Sequence, residues 1–160
     1  RSEVGAGSTF TVYWPRVEAA GPMAGAGEAA ERPETAPGTE TVLVVEDDRL
    51  VMLTVREYLE EAGYDVIQAV DGREAVRVAR EHRGPIALVV SDMILPGMTG
   101  PQVASAVREI HPAAKVLFMS GHSATMLTEA GHLRHGERPL QKPFEGEDLL
   151  ERVGTALRGA

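Results

Sequence analysis

The run IALVVSD at residues 86–92 decides the fold class, because five consecutive apolar residues precede a serine and an aspartate. A strand with apolar residues on both faces lies inside a parallel sheet that helices cover on each side. A second run, TVLVV at residues 41–45, leads directly into Glu46 and Asp47. We interpret the two runs as buried strands of one sheet, each ending in acidic side chains.

After residue 40 the chain alternates between short apolar runs and amphipathic stretches, which is the pattern of successive βα units. The predicted strands span residues 41–45, 64–67, 86–90, 116–119 and 139–141. The predicted helices span residues 50–62, 71–82, 101–111, 123–132 and 145–158. This order predicts an α/β fold, a (βα)5 doubly wound parallel sheet. The flavodoxin-like strand order 2-1-3-4-5 places its ligand site between strands 1 and 3, which are the two strands that end in carboxylates here, so we expect that order.

Residues 1–40 have a different character. Residues 17–40 contain seven alanines, four glycines, three prolines and five glutamates without sustained apolar periodicity, so we expect a flexible linker. The stretch from Thr9 to Trp14 alternates polar and apolar side chains and predicts one strand. Because a lone strand cannot bury its apolar face, we expect residues 1–16 to be a remnant of another domain and residues 41–158 to form the sheet domain.

The length of the chain allows one domain of ordinary size with a tail, and its composition narrows the class of protein. The 160 residues are 43% hydrophobic and 25% charged, which is typical of a globular protein. The chain has no cysteine, which excludes disulfides and thiolate metal sites and favours a cytoplasmic location. Its net charge of −8 argues against nonspecific binding to nucleic acid or to an anionic membrane. No apolar run approaches the roughly 18 residues that a membrane span needs.

Polar residues follow four of the predicted strands at the point where each strand ends. Glu46 and Asp47 follow the first strand, Asp92 the third, Ser120 the fourth and Lys142 the fifth. Because parallel strands point the same way, we expect these side chains to lie along one carboxyl edge. Open α/β sheets bind their ligands at this edge.

The residue types at this edge predict a cation site beside a phosphoryl acceptor. Three neighbouring carboxylates repel one another unless protons or a cation lie between them, and all-oxygen donors suit Mg²⁺ or Mn²⁺. The Asp92 carboxylate is a candidate nucleophile toward phosphorus. The Lys142 ammonium would neutralise the transferred group, and the Ser120 hydroxyl would bond one of its oxygens.

Four motifs in this order, each at a strand end, resemble those of response-regulator receiver domains. They are VVEDD at 44–48, SD at 91–92 with PGMTG at 96–100, MSG at 119–121, and QKPF at 141–144. The resemblance implies a domain that accepts a phosphoryl group from phosphohistidine and then hydrolyses it slowly, without turning over an external substrate. It also implies a histidine kinase or a histidine phosphotransfer domain as partner, and it allows a weak homodimer.

The resemblance assigns a role to each matching position. Asp92 matches the phosphoacceptor, Lys142 the phosphate-pairing lysine and Ser120 the switch hydroxyl. The metal ligands that it implies come from Glu46, Asp47, Asp92 and the backbone carbonyl of Met93, with Asp47 as a direct ligand. The Lys142–Pro143 peptide bond is expected to be cis.

Two further features concern the parent protein and its signalling. Residues 5–15 resemble the last strands of a histidine-kinase ATPase domain, so we expect the C-terminal part of a hybrid histidine kinase, with kinase activity belonging to the upstream part. Receivers usually carry an aromatic residue three positions before the lysine of the fifth strand, where this chain has Pro139. The usual coupling between the switch hydroxyl and that aromatic residue is therefore not expected here.

Two other functions remain open from the sequence. A carboxylate-nucleophile phosphatase would have a second acid two residues after its nucleophile, where this chain has Ile94. A degenerate receiver would only mediate protein contacts.

Asp48 is interpreted as a helix N-cap rather than as a ligand. A solvated loop is the interpretation of three histidines: His122, His132 and His135.

Overall fold

The computed structural model describes residues 39–121 and 138–158, together with the backbone of residues 2–3 and 7–8. The chain divides into two compact units, residues 1–34 and residues 35–160.

In the first unit, Ser2–Glu3 pairs antiparallel with Gly7–Ser8. The predicted strand at residues 9–14 lies outside the described residues, as does nearly all of the predicted linker at residues 17–40. The predicted helix at residues 123–132 and the three histidines that follow Gly121 also lie outside them.

Five parallel strands form the sheet of the second unit. They are β1 (Thr41–Val45), β2 (Asp65–Ala69), β3 (Ile86–Asp92), β4 (Lys115–Ser120) and β5 (Leu140–Gln141). The hydrogen-bonded order is β2-β1-β3-β4-β5, and every neighbouring pair is parallel. The predicted strand order is therefore confirmed.

Helices cover both faces of this sheet. The described helices are α1 (Arg49–Glu61), α2 (Gly72–Glu81), α3 (Gly100–Ile110) and α4 (Gly146–Arg158). Since the predicted fourth helix lies outside the described residues, α4 corresponds to the predicted fifth helix. None of the helices in the described ranges is both long enough and apolar enough to cross a membrane.

Successive residues of β1 enter two different hydrophobic cores. Val44 packs in the core that α1 and α4 cover, whereas Leu43 and Val45 pack in the core that α2 and α3 cover. All three side chains are completely buried. Burial of each stabilises the fold by about 1.5–3 kcal/mol. This two-sided burial is the reason why the strand consists of consecutive apolar residues.

Strand pairing, rather than local sequence, sets the ends of the strands. β3 continues two residues beyond the predicted run, because Ser91 pairs with Val45 and Asp92 pairs with Met119. β2 begins and ends later than predicted, because it pairs with the whole of β1.

A short antiparallel pair that the sequence analysis did not predict follows β3. It joins Ile94–Leu95 to Met98–Thr99 through Pro96 and Gly97. Gly97 has a φ of 77°, which glycine adopts without strain. The turn therefore depends on Gly97.

Candidate acidic site at the carboxyl edge of the sheet

Two adjacent strands bring three carboxylates together. Glu46 and Asp47 directly follow β1, and Asp92 is the last residue of β3. One carboxylate oxygen from each of the three residues lies within 4.8 Å of the corresponding oxygens of the other two. The strands β1 and β3 pair in register up to Val45 and Ser91, and this pairing places the three carboxylates side by side.

The side chain of Lys142 connects two of these carboxylates. Its Nζ atom lies 2.6 Å from Oε2 of Glu46 and 2.7 Å from Oδ2 of Asp92. The backbone N–H of Lys142 donates to the carbonyl of Ser120 at 2.8 Å, which fixes the residue beside the end of β4. The peptide bond between Lys142 and Pro143 is cis, as expected.

Burial governs the electrostatics of the site. The Glu46 side chain is 1% exposed, whereas those of Asp92 and Lys142 are 16% and 17% exposed. Burial raises the pKa of the Glu46 carboxyl, although the hydrogen bond and charge of Lys142 oppose this shift. Burial lowers the pKa of the Lys142 ammonium, but the hydrogen bonds and charges of Asp92 and Glu46 outweigh it, so this pKa is raised overall.

When all four groups are ionised, the site carries an excess of negative charge. Three carboxylates and one ammonium leave two negative charges unbalanced. Oxygen donors in this number and charge fit a hard divalent cation such as Mg²⁺. The donor set of Glu46, Asp47 and Asp92 therefore fits the cation that the sequence analysis expects.

The three carboxylates differ in how the fold holds them. Asp47 is exposed at the turn that leads into α1. Asp92 accepts the backbone N–H of Ile94 on Oδ1 at 3.2 Å and the Lys142 ammonium on Oδ2. Glu46 accepts the backbone N–H of Asp48 at 3.3 Å. Asp47 is thus the most accessible of the three to solvent and ions.

Asp48 has the capping role that the sequence analysis gave it. Its side chain accepts the backbone N–H groups of Leu50 and Val51, at 2.8 and 3.2 Å. These two donors begin α1 and have no partner within the helix. This cap holds the turn that carries Glu46 and Asp47.

Ser120 reaches the same edge as the carboxylates. It is the last residue of β4, is 1% exposed, and pairs with Gln141 of β5. Asp92 pairs with Met119, the residue before it. The strand register therefore brings Ser120 and Lys142 together at the end of β4.

Met93 is completely buried behind the site. Its N–H donates to the carbonyl of Met119 and its own carbonyl accepts the N–H of Gly100, both at 2.9 Å. A carbonyl oxygen has a second lone pair, so this bond leaves room for a cation. The expected contact between this carbonyl and a metal stays a prediction.

One feature of the acidic site that the sequence analysis missed is the close packing of Gly100 against the backbone of Asp92. A Cβ atom at this position would meet the Asp92 carbonyl and would lie 3.2 Å from the Met93 Cα atom. Glycine therefore lets the start of α3 pack against the backbone that carries Asp92. The only local sign of this in the sequence was the glycine itself.

The acidic site lies in a part of the chain that matches a known protein family. A family model described as a response regulator receiver domain matches residues 42–154, which include the whole acidic site. The sensor kinase CckA of Brucella abortus (strain 2308) is 35% identical over 163 residues, covering 98% of this chain and 17% of the relative. The response regulator receiver protein CpdR of the same organism is 30% identical over 119 residues, covering 74% of this chain and 98% of the relative. The chain thus spans less than a fifth of the similar sensor kinase and almost all of the similar receiver protein.

Solved structures agree with the sequence comparisons. The crystal structure of the receiver domain from the hybrid histidine kinase CckA superposes with a TM-score of 0.61 at 35% identity, covering 73% of this chain and 98% of that chain. The chemotaxis protein CheY4 of Vibrio cholerae superposes with a TM-score of 0.64 at 30% identity, covering 75% of this chain and 100% of that chain.

Proposed function

Because the chain belongs to the response regulator receiver domain family of two-component signalling, we propose that Asp92 accepts a phosphoryl group from a phosphohistidine with the aid of Mg²⁺. The observation that carries the proposal is the Lys142 ammonium, which lies within 2.7 Å of both Glu46 and Asp92. This arrangement combines a nucleophilic carboxylate, a fixed positive charge and oxygen donors for a cation.

Asp92 is oriented for attack on phosphorus. The Ile94 N–H and the Lys142 ammonium each hold one oxygen of its carboxylate, while 16% of the side chain remains exposed. One of these oxygens would attack in line with the P–N bond of the phosphohistidine. The new P–O bond forms as the P–N bond breaks, and the electron pair of the broken bond returns to the donor imidazole. The product is an acyl phosphate, which attack by water slowly returns to the carboxylate and inorganic phosphate.

Lys142 would stabilise the transferred group. The phosphoryl group spreads negative charge over three oxygens, and a preorganised ammonium neutralises part of it. Before the reaction, Lys142 is held by Glu46 and Asp92 and need not be recruited from solvent. Ser120, buried at the end of β4, would donate its hydroxyl to another of these oxygens.

Glu46, Asp47, Asp92 and the Met93 carbonyl would hold Mg²⁺ or Mn²⁺, with Asp47 as a direct ligand. When bound, the cation supplies positive charge that balances the acidic site and the incoming phosphoryl oxygens. One oxygen from each of the three carboxylates lies within 4.8 Å of the other two, which supports this assignment.

The similarity to a sensor kinase supports a wider assignment. The alignment with CckA of Brucella abortus covers 98% of this chain, whereas the family match begins at residue 42. We therefore propose a receiver of a hybrid histidine kinase at residues 41–158, preceded by a linker at 17–40 and a kinase-domain remnant at 1–16. The proposed partner is a histidine kinase or a histidine phosphotransfer domain in the cytoplasm.

The test compares phosphorylation of wild type, Asp92→Asn and Asp65→Asn. Asp65 is an exposed aspartate at the start of β2, on the opposite edge of the sheet, so it provides the same chemical change as a control. Each protein is incubated with Mg²⁺ and acetyl phosphate or a phosphorylated histidine phosphotransfer domain, and the acyl phosphate is mapped by mass spectrometry. Wild type and Asp65→Asn are expected to carry the group on Asp92, and Asp92→Asn is expected to carry none.

Two results would contradict the proposal. Labelling of Asp92→Asn at the wild-type level would mean that another residue accepts the group. Continuous turnover of para-nitrophenyl phosphate would instead indicate a phosphatase. The absence of an acidic residue at Ile94 argues against this second outcome, because the leaving group would lack a proton donor.

A further inference from the structure

Ser91, the residue before the proposed phosphoacceptor, places a polar side chain among apolar ones. It is completely buried, and it pairs with Val45 of β1. Side chains of directly paired residues lie on the same face of a sheet, and Val45 packs in the core that α2 and α3 cover. Ser91 therefore enters this core, where an apolar side chain would gain more from burial. Packing alone does not account for a serine at this position.

The Ser91 hydroxyl has a specific partner. Its Oγ atom donates a hydrogen bond to the carbonyl oxygen of Asp92 at 2.9 Å. The ladder between β1 and β3 ends at the pair of Val45 and Ser91, one residue before this carbonyl. The hydroxyl thus supplies a donor to the Asp92 backbone at the point where pairing with β1 has ended.

The peptide unit that joins Asp92 to Met93 is held at both ends. Its carbonyl accepts the Ser91 hydroxyl, and its N–H donates to the carbonyl of Met119 at 2.9 Å. Because a peptide unit is planar, two hydrogen bonds on opposite edges fix its rotation about the chain direction. The start of α3 packs against the same carbonyl, since a Cβ atom at Gly100 would meet it. One side chain, one neighbouring strand and one helix therefore determine the orientation of this unit.

The next peptide unit carries two groups of the proposed site. Its carbonyl, which belongs to Met93, is the proposed backbone ligand of the cation. Its N–H, which belongs to Ile94, donates to the Oδ1 atom of Asp92 at 3.2 Å. The direction of this unit depends on the unit before it, so a rotation between Asp92 and Met93 would move both groups together. The carboxylate would then lose one of the contacts that orient it.

We propose that Ser91 is a positioning residue for phosphoryl transfer, an inference that rests on the proposed function. Its hydroxyl holds the peptide unit between Asp92 and Met93. Through this unit it places the Ile94 N–H that orients the carboxylate and the Met93 carbonyl that would bind the cation. Ser91 acts through the backbone and not on the reacting atoms.

Three variants isolate the hydroxyl. Ser91→Ala removes it without adding an atom. Ser91→Thr keeps it, whereas Ser91→Val has a methyl group in its place and a similar shape. Ser105→Ala is the matched control, because Ser105 is an exposed serine of α3. Circular dichroism checks that each variant folds, and if the larger side chains do not fit, Ser91→Ala and its control still decide the proposal.

The first measurement needs neither a cation nor a phosphodonor. A nitrogen–proton correlation spectrum of the full chain reports the Ile94 amide proton, which moves upfield when its hydrogen bond to Asp92 weakens. We expect this shift in Ser91→Ala and Ser91→Val. In Ser91→Thr and Ser105→Ala the resonance should stay near its wild-type position. Urea unfolding measures separately what the hydroxyl contributes to the free energy of unfolding.

The second measurement is the rate of phosphoryl transfer at saturating Mg²⁺ and phosphohistidine donor. We expect Ser91→Ala to form the acyl phosphate about tenfold more slowly than wild type, because loss of a group that orients an active-site residue typically has an effect of this size. The donor concentration that gives half the maximal rate should not change, since Ser91 is buried and cannot touch the donor. Ser91→Val should be as slow as Ser91→Ala, and Ser91→Thr should keep most of the wild-type rate.

Several results would overturn the proposal. If Ser91→Ala loses stability but keeps the wild-type rate and the wild-type Ile94 resonance, the hydroxyl has a structural role alone. Equal rates for folded Ser91→Val and Ser91→Thr, or a loss in Ser105→Ala as large as in Ser91→Ala, would have the same consequence. Failure of wild type to carry the group on Asp92 would instead contradict the proposed function. The Ile94 resonance would then still show whether Ser91 orients the carboxylate.

Discussion

The Nζ atom of Lys142 lies 2.7 Å from the Oδ2 atom of Asp92, although 50 positions separate the two residues in the chain. Asp92 ends β3, whereas Lys142 follows β5, and β4 lies between these two strands. The lysine side chain therefore reaches across the end of β4. Because both side chains are largely buried, solvent screens this ion pair less than it screens a pair on the surface.

Removal of the Lys142 ammonium should impair phosphorylation. We expect Lys142→Ala to slow acyl phosphate formation by about 100-fold, because loss of one preorganised group that stabilises developing charge typically has this effect. The rate is measured by quenched-flow labelling with a phosphohistidine donor. Lys115→Ala, which removes an exposed lysine at the start of β4, is the control. Equal rates for Lys142→Ala and wild type would remove Lys142 from the mechanism.

The affinity for Mg²⁺ should depend on pH through Glu46. Burial raises the pKa of this carboxyl above its usual 4.5, so protons compete with the cation at a higher pH than for an ordinary glutamate. The affinity for Mg²⁺ is therefore expected to be highest when Glu46 is ionised and to fall as the pH drops through the raised pKa of the Glu46 carboxyl. Isothermal titration calorimetry over a pH series measures this. Glu46→Gln should bind Mg²⁺ more weakly and lose this step, and identical profiles for the two proteins would contradict the assignment.

A methyl group at position 100 should disturb the site. In Gly100→Ala the new Cβ would press on the backbone of Asp92 and Met93, which cannot move without shifting the end of β3. We expect a loss of about 1–3 kcal/mol in the free energy of unfolding and weaker Mg²⁺ binding. Urea unfolding and calorimetry measure the two effects.

Gly121→Ala is the matched control for this substitution. Among the described residues, no atom lies within 4 Å of a Cβ built at Gly121. The variant should therefore keep the stability and the Mg²⁺ affinity of wild type. If Gly100→Ala behaved in the same way, the packing of α3 against Asp92 would not matter for the site.

Ionisation of the Tyr64 phenol should lower the free energy of unfolding at alkaline pH. Burial, assisted by the charge of Glu40, raises the pKa of its phenol above the usual 10.0. The folded state then holds the phenolic proton more tightly than the unfolded state, so this contribution is complete below pH 10.0 and is lost as the pH rises through the folded-state pKa. Urea unfolding of wild type and Tyr64→Phe from neutral to alkaline pH tests this. The variant should lose less stability in that range, and parallel curves would exclude Tyr64 as a contributor.

Much of the site could be predicted from the sequence because it depends on strand ends. The apolar run at residues 86–90 reads as a buried strand, and in a parallel sheet the residue after such a strand lies at the carboxyl edge. The same argument applied to β1 predicted the convergence of Glu46 and Asp92, which the structure confirms. Asp48 followed from the capping rule for the helix that begins after it.

Other features could not be read from local patterns. The extension of β3 through Ser91 and Asp92 depends on pairing with β1 and β4, and a strand alone does not show where its partners end. The packing of Gly100 on the Asp92 backbone depends on where α3 crosses the sheet. The expected absence of the usual coupling between the switch hydroxyl and an aromatic residue, whose position Pro139 occupies, also stays a prediction.

The order of apolar and polar residues by itself determined the fold class and the set of ionisable groups at one edge, because these depend on periodicity and on the direction of parallel strands. Only the tertiary structure decided that one ammonium contacts both Glu46 and Asp92, and that the first of these carboxyls is buried while Asp47 faces solvent. The reason is that contact and burial depend on the twist, register and packing of segments far apart in the chain. Charge and spacing in the sequence do not specify these quantities.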